Sequence, residues 1–137
     1  MIAVSVSLKI PDNTAYTALV ALRRLGVAVD RVSRNEVYFF EDADPEALAI
    51  RVMSDETIFN PNKHRLSVLD ANKPHSGEVW ILPLGPSRGP SAIAWRLFDA
   101  KGLPVEDGVL SAAIERLLCN PAIERAVTAG TSERNGA

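Results

Sequence analysis

The chain has 137 residues, 47% of them apolar, and a formal net charge of −2. That is enough apolar material for one compact domain, or for two small units sharing a core. A near-neutral chain implies no basic face, so nucleic acid is not an expected partner. No apolar run approaches the ~20 residues of a membrane helix, and no membrane contact is expected. The opening "MIAVSVSLKIPDN" lacks a basic n-region and is not read as a signal peptide. Cys119 is the only cysteine, so no disulfide framework or thiolate cluster is expected. These features point to a cytoplasmic protein.

Ile2, Val4, Val6, Leu8 and Ile10 alternate with Ala3, Ser5, Ser7 and Lys9, which predicts a strand with one buried face. Asn13 or Thr14 is the expected cap of a helix in which Ala15, Ala18, Leu19, Leu22 and Leu25 recur at helical spacing, ahead of Gly26 as a stop. "VAVDRVSRNEVYFFE" places two β-rich runs around the polar "SRNE" and predicts a hairpin. Asp44-Pro45 opens a second helix, which must end before Asn60-Pro61. "HRLSVL" alternates again. The expected class is α+β. Residues 1–69 are expected to form a ferredoxin-like βαββαβ unit, with Val4, Val6, Leu8, Leu19, Leu22 and Leu66 in its core.

Residues 70–77 form a turn-rich linker, and 78–130 read as a shortened second α+β repeat. In that repeat "EVWILPL" is a strand and "GPSRGPS" a loop. "AIAWRLFDAKG" is a predicted helix, and Asp107 caps another. Residues 131–137 are expected to be a disordered tail. Val4 aligns with Val79, Gly26 with Gly102, and Asn60-Pro61 with Asn120-Pro121, as if one unit were written twice and the second copy had shortened its hairpin.

The stretch "VSVSLKIPDNTAYTALVALRRLGVAVDRVSRNEVYFFE", with "RLLCNPAIERAV" at 116–127, resembles the PurS family, the small subunit of phosphoribosylformylglycinamidine synthase. The resemblance implies a PurS-like fold and a non-catalytic assembly role in purine biosynthesis, bridging the catalytic subunits of that synthase. It also implies association through sheets. A different class with the same strand and helix order is the ACT-like regulatory domain, which binds small effectors where two units meet.

The residues themselves supply little chemistry. His64 and His75 have no metal-ligand spacing, and no metal, cofactor or catalytic residue is expected. "GPSRGPS" has an arginine but lacks P-loop order. Glu41, Asp42 and Asp44 border structural turns. The chain is therefore read as not catalytic alone. One surface stands out. If Val37 and Phe39 face the helices, Tyr38 and Phe40 lie on the open sheet face with Ala3, Ser5 and Ser7. Large aromatics beside small residues suit a second layer, so these five are the expected interface of a homo-oligomer joined through its sheet faces.

Overall fold

The computed structural model describes residues 1–130. Its strands are β1 (Ile2–Leu8), β2 (Arg31–Phe40), β3 (His64–Val68), β4 (Glu78–Pro83), β5 (Ala92–Phe98) and β6 (Glu124–Val127). Its helices are α1 (Asn13–Arg24), α2 (Pro45–Met53) and α3 (Asp107–Ala113), the last continuing as a π-helical turn over Ile114–Leu118. The strands form one antiparallel sheet in the order β3-β1-β2-β5-β4-β6. The expected tail at 131–137 lies outside the described residues.

The α+β class holds, and two elements differ from expectation. The predicted hairpin is one continuous ten-residue strand, β2. "SRNE" carries no Asn-Gly or Asp-Gly pair to close a two-residue turn, and both sides of β2 are taken up, by β1 and β5. The order of residues 2–69 is therefore βαβαβ rather than βαββαβ. Second, Ala92–Phe98 is a strand and not a helix. Its apolar residues satisfy both a helical and an alternating pattern. Pairing along β2 and β4 decides for the strand, against a modest propensity term.

The expected helices α1, α2 and α3 form, but two caps differ from expectation. Asp12, not Asn13 or Thr14, caps α1, its Oδ1 accepting from Ala15 N at 3.1 Å. Asp107 is the first residue of α3, and the cap position falls on Glu106 with no side-chain bond. Asp44 caps α2, with Pro45 at the first helical position. Ala15 and Leu22 of α1 pack with Val79, Ile81, Leu97, Val105, Leu110, Ala113 and Leu118, so the first helix fills the core of the second half. Leu48 and Val52 of α2 close a smaller core with Val4. Of the predicted core, Val4, Val6 and Leu22 are buried, Leu19 and Leu66 are half-buried, and Leu8 is at the exposed margin.

The two halves share one hydrogen-bond pattern. β1 pairs with β3 as Ser5–Ser67, and β4 with β6 as Trp80–Val127. Just beyond these ladders Lys9 N donates to Lys63 O, and Leu84 N donates to Ile123 O. Moving 75 positions along β1 (5 to 80) and 60 along β3 (67 to 127) carries one ladder onto the other. The turns before β3 and β6 match bond for bond. Asn60 Oδ1 accepts from Asn62 N and Asn120 Oδ1 from Ala122 N. Asn60 N donates to His64 Nδ1, and Asn120 N to Glu124 Oε1. Each Asn carbonyl also accepts from the residues three and four positions on.

The halves meet antiparallel along β2 and β5. What the second half lacks is a counterpart of α1, because β4 runs into β5 through the loop 84–91; it is not short of a hairpin. Gly26 and Gly102 are not equivalent: one follows α1, the other sits in the turn after β5.

Candidate functional site

Side chains directly opposite in an antiparallel ladder share a face. The register therefore sorts the sheet unambiguously. Val4 pairs with Tyr38 and Ile2 with Phe40, on the side covered by the helices. Ala3 pairs with Phe39 and Ser5 with Val37, on the open side. Ala3, Ser5 and Ser7 thus share the open face as expected, but Tyr38 and Phe40 do not. Their places are taken by Val37 and Phe39. Alternation alone could not choose between the two phases of β2, because both sets are apolar enough to be core.

Part of the open face is closed by the chain itself. Trp80 stacks on Phe39 with ring centroids 5.8 Å apart, above Ala3, Ala92 and Ala94. The small residues make room for those two rings rather than for a second sheet. Residues 69–77 then carry the chain from β3 at one edge to β4 across this face. Leu69 packs on the Ala3 cluster, Asn72 Nδ2 donates to Met1 O at 2.8 Å, and Pro74 is buried. His75 N donates to Glu78 Oε1 at 2.8 Å, on a side chain that itself lies on the open face. Gly77 makes the turn into β4 at φ +71, where a Cβ would stand 2.6 Å from Pro104 Cβ.

On either side of this strap the two halves differ sharply. Residues equivalent by register on the open face include Ser5 and Trp80, Ser7 and Leu82, Ser67 and Val127, Lys9 and Leu84, and Lys63 and Ile123. At these five positions the first half presents hydroxyls and cations and the second apolar side chains, whereas Arg65 and Arg125 keep a cation in both halves and Ala3 is matched by Glu78. Leu84 is 57% exposed and Ile123 61% exposed, beside half-buried Leu82 and Val127.

The other sequence candidates have structural occupations. Asp42 Oδ1 accepts from Ala43 N and Asp44 N, and its Oδ2 meets Arg51 at 2.9 Å. These backbone bonds, then the Arg51 guanidinium, hold its carboxyl below the usual range. Glu41 faces the N-terminal ammonium at 3.9 Å. The "GPSRGPS" loop precedes a strand, so it offers no helix start to an anion. Outside those candidates, Arg23 Nε donates to Val29 O and Arg23 Nη2 meets Asp30, tying α1 to the segment leading into β2. Burial, with a smaller contribution from Glu124, pushes the Cys119 thiol up, which works against a thiolate nucleophile. Among the described residues no group of three or more His, Cys, Asp or Glu side chains could hold a metal ion.

Concavities border α1. A cleft of about 360 Å³, open where β1 and β2 part beyond the Val6–Glu36 pair, is lined by Ser7, Asp12, Tyr16, Arg31, Arg34 and Asn35. A groove of about 420 Å³ between α1 and the π-helical turn has Thr14, Thr17, Trp95 and Leu118 on its walls. Neither brings together a nucleophile, a base and a group to orient it.

No family model, curated protein or solved structure matches the chain. Among the described residues no helix is long and apolar enough to cross a membrane.

Proposed function

We propose that this chain is a non-catalytic, PurS-like assembly module that pairs with a second copy of itself through the open face of its second half. The observation that carries the reading is the apolar set Leu82, Leu84, Ile123 and Val127, standing where the first half has Ser7, Lys9, Lys63 and Ser67. One fold position filled in two opposite ways argues that the apolar version has a use beyond holding the sheet together. Arg125, opposite Leu82, is the charge beside this set; the four side chains themselves are apolar, and an identical apolar set on a second copy is the fitting partner. The shared turns and ladders support descent of both halves from one ferredoxin-like unit that has been duplicated. The purine-synthase assignment rests on the sequence resemblance, and a cytoplasmic location goes with it.

The test is solution mass by light scattering, with the double variant Leu84→Glu/Ile123→Glu. A dimer with a concentration-dependent melting temperature is expected for the native chain, and a folded monomer whose melting temperature does not depend on concentration for the variant. A native chain that stays monomeric at high concentration would end the self-assembly reading. Co-elution with the catalytic purine-synthase subunits tests the pathway assignment separately.

The apolar groove beside Trp95 favours one second reading, an ACT-like effector-binding domain. An amino acid that raises the melting temperature in a saturable way would support it over the first.

A further inference from the structure

The near-neutral total charge conceals a segregated one. By register, Arg31 on β2, Arg65 on β3 and Arg96 on β5 all project from the open face. Lys9 and Lys63 extend the same row where the β1–β3 ladder runs on. All five stand toward one end of the sheet, across β3, β1, β2 and β5. The β1–β2 ladder ends at Val6–Glu36, so the cations fall into two groups, Lys9, Lys63 and Arg65 on one side and Arg31 and Arg96 on the other, flanking the cleft lined by Ser7, Arg31, Ser33 and Asn35. At about 4.8 Å per strand the row spans roughly 14 Å or more. The strand residues of this face include one carboxylate, Glu78, which is buried and already faces Arg96 at 3.9 Å. Among the described residues Lys9, Arg31, Lys63 and Arg65 have no ion-pair partner. Between them lie Ser7, Ser33, Ser67 and Asn35, short donors of the kind that contact phosphate oxygens. Arg31 stacks on Phe98 at 4.3 Å, and Arg96 approaches the same ring at 6.0 Å. That places a planar, base-sized platform at the end of the row.

We infer that this end of the open face binds the backbone of single-stranded nucleic acid. Charge complementarity selects a polyanion. The row is too wide for a single small anion to span, and the bases of a single strand are free to reach the Phe98 platform, as those of a duplex are not. An acidic peptide fits less well, because the apolar side chains it would seek lie on the other side of the strap. The inference goes beyond the assembly reading and does not depend on it: pairing through Leu84 and Ile123 leaves the basic row outside the contact.

The experiment is fluorescence anisotropy of the full chain with a labelled single-stranded oligonucleotide of about 12 nucleotides, a length within the usual single-strand footprint. Binding is expected at low salt. Three to four phosphate contacts give a slope of log K against log salt of about −2 to −3. The double variant Arg31→Gln/Arg65→Gln should weaken binding tenfold or more. Arg24→Gln/Arg88→Gln, with the same charge loss outside the row, should leave it within about twofold. Melting curves establish that both variants fold, and Lys63→Gln in place of Arg31→Gln serves if loss of the Phe98 stack unfolds the first. No binding at low salt overturns the inference. So do equal losses for the two double variants, or an acidic peptide binding more tightly than the oligonucleotide.

Discussion

Leu22 and Tyr38 sit on the same side of the sheet and meet different conditions. Leu22 is fully buried between α1 and the core of the second half. Leu22→Ala should cost about 2–5 kcal/mol in denaturant unfolding, since it removes contacts from both halves at once. Tyr38 is half-buried, and its hydroxyl stands 3.5 Å from Glu36 Oε2. Burial first, then the Glu36 carboxylate, pushes its pKa up to about 12. The folded state thus favours neutral Tyr38. Its stabilising effect is complete below the unfolded value near 10 and is lost as pH rises from there through about 12. Tyr38→Phe should abolish that part of the alkaline decline in stability. An unchanged alkaline profile in the variant would show that Tyr38 is not its source.

At the scale of elements, the Asn-Pro turns and the strap carry the tests. Asn60 and Asn120 make the same bonds, so Asn60→Ala and Asn120→Ala should each cost about 0.5–1.5 kcal/mol, and by similar amounts. A large difference in denaturant midpoint would show that the turns do unlike work. Gly77→Ala meets Pro104 and forces a side chain into positive φ; roughly 1–3 kcal/mol of destabilisation is expected by the same measurement. β1, α1, α2 and the strand at β4 were legible because their periodicities admit one reading. β2 and β5 were not. A polar tetrapeptide inside a strand resembles a turn, and a strand of mixed Ala, Ile, Trp and Leu resembles a helix, until a neighbour on each side supplies the ladder.

At the scale of the whole molecule, the sheet gives each face a different task. The helix side is closed by α1, α2 and α3. The open side is crossed by the strap and left with an apolar end and a basic end. The two readings predict separable behaviour. Leu84→Glu/Ile123→Glu should change the mass in solution and spare oligonucleotide binding, while Arg31→Gln/Arg65→Gln should do the reverse. A variant pair that failed to separate them would mean that one surface serves both.

The amino-acid sequence alone determined the α+β class, the existence of α1 and α2, the Asp44-Pro45 start of α2, and the recurrence of Asn-Pro. Those depend on local chemistry: alternation, helical spacing, and the conformational limits of Asp-Pro and Asn-Pro. It also placed Ala3, Ser5 and Ser7 together, because residues two apart on one strand share a face whatever else happens. Only the tertiary structure decided that Val37 and Phe39, and not Tyr38 and Phe40, join them. Strand phase is set by pairing between distant segments, and a slip of one residue exchanges the faces. The same cause hid the basic row. Arg31, Arg65 and Arg96 are far apart in a nearly neutral chain, and only the register of four strands brings them to one end of one face.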